Sequence, residues 1–511
     1  MSQTHRSRSA ITVVTLLLFA LLPAAGVTAQ QAPETLTLEY ALQLARDHNP
    51  DYLATANDIQ LADWNVRAAY GDLLPGASAS GNMNYQAAGE QRFGVITGSD
   101  LGIGSSTDYY SSSYSLNLNY SLSGASLFAP SRERAARTAT SAGIRSARAA
   151  LETDVTVQYL AVHRAQDAVA LAEQELARAT ENARLAAARV AVGAAIPLEQ
   201  TQAEVERGRA EVALLTSRNE LRTQRLVLGQ IIGRPLPDDL VLTTGFEVQD
   251  VPWELESLLA GARGENPDIL AARANVNSAR AGVRMARSAY FPSLSMSAGW
   301  SGFARQAGNT AMLLDRARAQ MQSAQQQCIR DNLISAGLST PLPGMPRDCS
   351  QFTLTPEQES MIRADNDVFP FGFSREPFSA QLTVSLPLFN GFERERQVAQ
   401  ARIAADDAAH RQRAEELRVR TIVERTLLNL RTAREAVALE ERNRELADQQ
   451  LALERERYRV GVASFVELQE AETLKARADR DYLVAVYTFH ENLTALEAAV
   501  GRPLRVNPGE R

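Results

Sequence analysis

The sequence predicts a mainly α protein with a small β part, and three observations carry that reading. Motifs recur at fixed spacings, long heptad stretches follow short strand-like segments, and those segments alternate apolar and polar residues over about ten positions. The 511 residues are 45% hydrophobic and 22% charged, which excludes wholesale disorder, collagen-like repeats and a disulfide scaffold. Against 60 acidic residues stand 53 basic ones, for a net charge of -7, so a nucleic-acid binder working by general phosphate neutralisation is also excluded. Lys475 is the single lysine, a bias in which we read no function.

The duplication orders everything else. Asn49-Pro50-Asp51 recurs as Asn266-Pro267-Asp268, and Pro75 as Pro292, both 217 positions on, with Ala68-Ala69-Tyr70 and Ser288-Ala289-Tyr290 near the same register. Val192-Gly193-Ala194 resembles Val460-Gly461-Val462, Ala203-Glu204 matches Ala471-Glu472, and Gly233-Arg234-Pro235-Leu236 matches Gly501-Arg502-Pro503-Leu504, all 268 positions on. Two constant offsets predict two units of one architecture, with 51 residues inserted between Pro292 and Val460. We place the repeats at 30–236 and 253–504, with a linker at 237–252, a tail at 505–511 and a long loop insertion at about 301–375.

Arg6 and Arg8, the apolar run from Ile11 to Leu22 and the small residues ending at Ala29 read as a secretory signal, residues 1–29, in preference to an amino-terminal anchor. The run is too short to span a bilayer, and no later segment approaches eighteen consecutive apolar residues. Anything beyond the signal that crosses a membrane must do so as strands.

Each repeat then follows one order. Leu38 to Tyr70 reads as helix, with Thr37 as cap, an apolar stripe through Leu38, Ala41, Leu42 and Ala45, and an interruption at Asn49-Pro50; Leu258 to Tyr290 repeats it. Strands follow at Ala77–Tyr85 and Ser112–Leu122, then at Ser293–Phe303 and Phe378–Phe389. Leu116, Leu118, Tyr120 and Leu122 alternate with Ser115, Asn117, Asn119 and Ser121, and Leu382, Val384, Leu386 and Leu388 alternate with Thr383, Ser385 and Pro387. Such strands fit a half-buried soluble sheet or, at about ten residues each, a barrel with lipid outside and water inside.

A very long helix comes next. Residues 129–192 would span roughly 95 Å at about 1.5 Å per residue. Leu151, Val155, Gln158, Val162, Ala165, Val169, Ala172 and Leu176 step by four and three like a coiled-coil seam, and Val419, Val423, Thr426, Leu430, Ala433 and Val437 occupy the same places in the second repeat. A second stripe, Leu160, Ala168 and Leu171, reappears as Leu428, Ala436 and Leu439 and predicts helices packed on two sides. Gly193 and Gly461 break the long helices, and return helices run to Ile232 and Val500, where Gly-Arg-Pro stops each.

Four strands cannot close a barrel, which takes about eight or more, so membrane strands here require several chains. Cys328 and Cys349 lie 21 positions apart in the insertion. In an exported chain they are most simply a loop disulfide worth roughly 3 kcal/mol. Free thiols or metal ligands are the alternative, with no histidine nearby to complete a metal site.

This order of elements over about residues 36–505 resembles the TolC family of outer-membrane efflux ducts. Leu386-Pro387-Leu388-Phe389-Asn390-Gly391 is similar to that family's strand-to-helix signature, and Tyr458 to Leu468 is similar to its tip sequence. The resemblance implies a homotrimer. Its twelve strands form one barrel in outer-membrane lipid, and its duplicated helical hairpins form a periplasmic α-barrel. It also implies a periplasmic adaptor and an inner-membrane pump of RND or ABC type as partners, with no cofactor and no metal. It places adaptor docking at Val192, Gly193, Ala194 and Ala195 and at Val460, Gly461, Val462, Ala463 and Ser464. It lays Glu199, Glu467 and Glu470 on an acidic ring at the tunnel mouth. Basic residues that lock the closed tip in some members are not evident at Val462-Ala463.

Enzyme signals are weak. His48, His163, His410 and His490 are scattered, and His490-Glu491 has Thr494 where a zinc-protease helix needs its second histidine. Gly102-Ile103-Gly104 lacks the strand-to-helix context of a phosphate site. The expectation is a passive export duct for drugs or secreted substrates; the alternative is a structural coiled-coil envelope protein or adhesin without conductance.

Overall fold

The computed structural model describes residues 35–90, 92–97, 107–237, 240–340 and 342–505. The signal segment, Gly102-Ile103-Gly104 and residues 506–511 lie outside the described residues. In chain order the elements are β1 (Thr35–Leu36), α1 (Leu38–His48), α2 (Pro50–Gly71), β2 (Gly76–Gln86), β3 (Arg92–Phe93), β4 (Ile96–Thr97), β5 (Tyr109–Leu122), α3 (Gly124–Ala191) and α4 (Pro197–Ile232). They continue with β6 (Val241–Leu242), α5 (Leu255–Glu265), α6 (Pro267–Arg287), β7 (Ser293–Ala307), α7 (Ala311–Ala336), α8 (Pro356–Asn366), β8 (Ser374–Arg375), β9 (Ser379–Ser385), α9 (Glu393–Arg459) and α10 (Phe465–Val500). Two compact units draw on both sequence repeats. The first takes the chain up to Pro50, Leu151–Val251 and Leu430–Thr494, and the second takes Asp51–Ala150, Pro252–Asn429 and the chain from Ala495.

The first unit is helical, apart from the short parallel pair β1–β6. Part of the predicted seam lies inside it, where Val155, Val162, Leu430 and Val437 are all buried, and Val419 and Val423, buried too, belong to the second unit. The hydroxyl of Tyr159 donates to the Leu36 carbonyl (2.8 Å), tying the start of the chain to α3. Thr37 caps α1 by accepting from the Tyr40 amide (3.2 Å). The second stripe divides between the repeats. Leu160 is fully buried, but Leu428 and Leu439 are 58% and 64% exposed, so in the second repeat the stripe finds no cover within its own chain.

The second unit holds an antiparallel sheet of order β2-β5-β7-β9, with β8 also on β7. Register decides its chemistry, because directly opposed residues share a face. Leu116 opposes Trp300 and Ala79, Leu118 opposes Ala298 and Ala77, Tyr120 opposes Met296, and Met296 opposes Leu382. The other face carries Ser78, Asn117 and Gly299, then Asn119, Ser297 and Gln381. One face is therefore apolar over four strands, the other hydroxyl and amide. Every residue of the edge strands β2 and β9 is exposed.

Three expectations need correction. The fourth strand stops at Ser385, short of Phe389, because Pro387 supplies no ladder donor. The first long helix starts at Gly124, not near 129. Ser123 and Ser126 cap it reciprocally, each amide donating to the other's hydroxyl (2.8 and 3.2 Å), and Pro130 is carried inside the helix. The insertion is no plain loop. It holds α7 and α8, the second with a Thr355/Gln358 capping box, and Cys328 and Cys349 are joined by a disulfide with Cα atoms 5.7 Å apart.

The sequence repeats have a physical origin in one contact made twice. The Asn49 amide donates to the Ile231 carbonyl (2.8 Å), and the Asn266 amide donates to the Ala499 carbonyl (2.9 Å). Each Asn-Pro turn thus caps the last turn of a return helix, and the Asn266 carboxamide oxygen accepts from the Asp268 and Ile269 amides at the head of α6. The glycines that end the return helices, Gly233 and Gly501, have φ near +89° and +88°. A Cβ on Gly233 would stand 2.3 Å from the His48 carbonyl oxygen, and one on Gly501 would stand 2.7 Å from that of Glu265. Asn266→Ala is expected to cost about 1–2 kcal/mol by removing both roles of the side chain. Gly501→Ala should cost more, through φ and collision together. Thermal unfolding of the purified protein followed by circular dichroism checks both, and an unchanged midpoint for Gly501→Ala would refute the account.

Candidate functional site

The two hairpin turns, α3–α4 and α9–α10, lie in the first unit and are built alike. At the first turn the Gly193 amide donates to the Val190 carbonyl (3.0 Å) and the Ala194 amide to the Arg189 carbonyl (2.8 Å). At the second, Gly461 donates to Tyr458 (3.1 Å) and Val462 to Arg457 (3.0 Å). These are Schellman closures, which need a left-handed residue, and Gly193 and Gly461 supply it at φ +76° and +82°. No atom would meet a Cβ on either glycine, so backbone conformation, and not crowding, selects glycine here.

The helices that leave the turns start differently. Pro197 opens α4, whose cap residue Ile196 makes no side-chain cap bond. Ser464 opens α10 through a capping box: the Ser464 amide donates to the Glu467 carboxylate (2.7 Å), and the Glu467 amide donates to the Ser464 hydroxyl (3.3 Å). The Ser464 amide and, after it, the Ser464 hydroxyl, which also donates to this carboxylate (3.0 Å), hold the Glu467 carboxyl below the usual carboxylate range. Arg457 stands 3.8 Å from the same carboxylate and 2.7 Å from Glu454.

The turns surround a small core. Ala183 and Ala186 of α3, Ala203 of α4, Leu451 and Tyr458 of α9 and Phe465, Leu468 and Ala471 of α10 form one buried cluster. Alanine on the first hairpin lets the aromatic rings of the second lie close against it. Arg189 clamps this cluster: its guanidinium lies 4.3 Å from the centroid of the Tyr458 ring and donates to the Tyr458 carbonyl (3.1 Å) and the Ala194 carbonyl (3.4 Å). Burial pushes the Tyr458 phenol up, so it stays protonated and donates to Glu199 (3.3 Å).

Of the sequence-predicted tip residues, Val192, Gly193, Ala194, Val460, Gly461, Val462 and Ser464 are exposed and Ala195 is half-buried. Ala463 differs: it is 8% exposed and packs into the cluster with Tyr458 and Phe465. The three acidic candidates separate as well. Glu467 belongs to the cap, Glu199 receives Tyr458, and Glu470 is exposed on the second turn of α10.

Two features were missed from sequence. Arg189 and Arg457 are equivalent residues of the two repeats, so the tip does carry basic residues, just before the glycines and not at Val462-Ala463. Lys475, the lone lysine, is buried, 2.5 Å from Asp479 and 3.6 Å from Asp448, and Asp479 also accepts from Arg444 (2.9 Å). An unshared charge at a helical position was the available signal. Among the described residues no three His, Cys, Asp or Glu side chains gather as a metal site.

Comparison with known proteins follows the same geography. The family model described as outer membrane efflux protein matches residues 41–234, most of the first repeat, and 358–502, the later part of the second. The chain is 31% identical to the outer membrane efflux protein BepC of Brucella suis over 140 residues, 27% of this chain and 30% of that one. It is 26% identical to the cobalt-zinc-cadmium resistance protein CzcC of Cupriavidus metallidurans over 276 residues, 53% and 59% of the two chains. The matched stretches thus span between about a third and three fifths of those relatives. The fold is that of the Campylobacter jejuni CmeC outer membrane channel, with a TM-score of 0.66 over 91% of this chain and 85% of that one at 16% identity.

The capping box sets a pH dependence. A carboxylate held below its unfolded range stabilises the fold above that range, and the contribution is lost as pH falls through the lowered folded value. Glu467→Gln should therefore be less stable than the parent at neutral pH, and the difference should close below about pH 4. Unfolding of the two proteins between neutral and acid pH measures it, and a gap independent of pH would sink the assignment.

Proposed function

The chain belongs to the outer membrane efflux protein family, and from that premise we propose that it is a passive, trimeric export duct. It is an outer-membrane protein that extends into the periplasm. Three copies of β2, β5, β7 and β9 close one twelve-stranded barrel, with the apolar face toward lipid and the serine and asparagine face toward water. The supporting observation is the register: a sheet with one face apolar and the other rich in serine and asparagine over four strands, exposed at both edge strands, suits a wall between lipid and water.

The helical hairpins continue the duct, and the exposed stripe at Leu428 and Leu439 packs on a neighbouring chain. At the tips, Val192, Gly193, Ala194 and Ala195 and Val460, Gly461, Val462 and Ser464 receive a periplasmic adaptor, whose helices approach closely over the small side chains. Ala463 supports that surface from beneath. Energy comes from an inner-membrane pump, which also selects what is expelled, drugs or other small molecules or secreted substrates. Glu470, three copies to a trimer, supplies the acidic ring, with Glu467 beside it and Glu199 behind Tyr458.

Closure follows from the Arg189 clamp. Its guanidinium ties the α3–α4 turn to α9, so the closed tip gains contacts that a spread tip lacks, and adaptor binding opens the duct by favouring the spread state.

Purified protein in a planar bilayer should conduct poorly, and Arg189→Ala should raise the conductance several-fold. Glu470→Gln should lower the preference for cations over anions. A photo-crosslinking residue at Val462 should capture a periplasmic adaptor in cells. Absence of conductance from both the parent and Arg189→Ala would replace the duct with a structural coiled-coil role.

A further inference from the structure

The insertion is fastened to the sheet by a strap that runs from the end of α8 to β8. The Asn366 side chain pairs with both backbone groups of Ala307, accepting from its amide (2.8 Å) and donating to its carbonyl (2.9 Å). The Phe369 amide donates to the Gln306 side chain (2.9 Å), and the Ser112 hydroxyl donates to the Pro370 carbonyl (2.5 Å). Ser112, Gln306 and Tyr114 all lie on the apolar face, so the strap covers that face at the end of the sheet away from the long helices.

Two local devices bring the chain there. β8 pairs Arg375 with Gly302, whereas the β9 register would put Glu376 opposite Gly302, so one extra residue bulges between them. The bulge resets the alternation, and Phe373 and Phe378 both reach the apolar face: Phe373 meets Tyr114 edge-on (4.9 Å) and Phe378 lies on Trp300 (4.7 Å). Gly302 provides the crossing point, since a Cβ there would stand 2.6 Å from the Tyr114 ring and 2.9 Å from the Ser374 carbonyl oxygen.

The strap adds to a row of rings. Phe369 packs on Tyr110 (5.5 Å), and Tyr110 packs on Tyr85 (4.9 Å). Several rings are left uncovered: Phe371 is 73% exposed, Tyr85 56%, Trp300 54% and Phe378 51%. Below this row the same face is mainly aliphatic, with Leu116, Leu118, Leu382 and Val384, and Tyr120 lies farther toward the long helices. An aromatic band bounding an aliphatic band is the pattern of a barrel at a lipid headgroup boundary. Irregular backbone cannot sit in hydrocarbon, so a strap on the lipid face must lie at headgroup depth.

We propose that the strap around Phe369, Phe371 and Phe373 is a lipid-interface anchor, holding the disulfide-bonded insertion down on the outer-leaflet headgroups around the barrel. The inference rests on the reading of the sheet as a barrel wall. The insertion is thereby a collar on the outside of the duct and leaves its lumen open.

Spin labels at single substitutions Phe371→Cys, Leu382→Cys and Val95→Cys test it in lipid vesicles, the two native cysteines being joined to each other. Val95, 99% exposed in the β3–β4 turn, gives the value for water, and Leu382 gives the value for hydrocarbon. The label at 371 should be reached by a nickel chelate several-fold less than the label at 95, and by oxygen less than the label at 382. A reading at 371 equal to that at 95, or equal to that at 382, overturns the anchor. A reading at 382 equal to that at 95 shows instead that the sheet itself is not in lipid, and the barrel-wall reading fails with it.

Discussion

Unpaired strand edges govern this structure. A four-stranded sheet leaves β2 and β9 with a free row of amides and carbonyls, and in a bilayer no water is present to satisfy them. Removing the edges by closure needs more strands than one chain has. In the proposed duct, the assembly of several chains is therefore a backbone hydrogen-bonding requirement first and a side-chain matter second. Leu428 and Leu439, exposed on the second-repeat helix, fit the same proposal farther along the chain, since helices hung from a shared barrel would need neighbours too.

Duplication lowers the number of solutions such a chain has to find. The amide of an asparagine on the carbonyl of a return helix, with a left-handed glycine closing over it, is made twice with nearly the same distances. Those residues are the ones whose letters remain matched between the repeats. The seams beside them have exchanged leucine, valine and alanine freely, because a seam asks only for apolar volume of about the right size, whereas a cap and a positive φ each ask for one or two residue types.

That difference explains what was legible in the sequence. Most helices, the turns and three of the four strands follow from period, proline and glycine, and the apolar and polar faces of the sheet follow from the alternation at Leu116 to Leu122. The apolar alternation of the fourth strand continues through Leu386 and Leu388 past the end of the ladder at Ser385, so alternation alone extends it beyond Pro387. α7 was invisible because Gln and Ser in a segment flanked by Gly and Pro read as a loop, although its core is a run of alanine, glutamine and arginine that helices accept. At the tip the glycines and Glu467 are legible in the sequence, whereas Arg189 is one arginine among many. Nothing in the letters distinguishes a guanidinium that lies on a tyrosine ring from one in solvent.

The tip also shows where the two repeats stop being copies. Arg189 and Arg457 are equivalent, as are Val190 and Tyr458, Ile196 and Ser464, and Pro197 and Phe465. On the first hairpin, the arginine has no aromatic neighbour of its own repeat and reaches across to the second. On the second, it is held beside Glu454 and Glu467, so the ring is left to its counterpart. A symmetric tip would offer each arginine the same partner and would hold both hairpins equally. With the aromatic rings and the capping box confined to one hairpin, the Arg189 guanidinium joins the Tyr458–Glu199 hydrogen bond and the shared apolar cluster in holding the two hairpins together, and no second arginine duplicates its place.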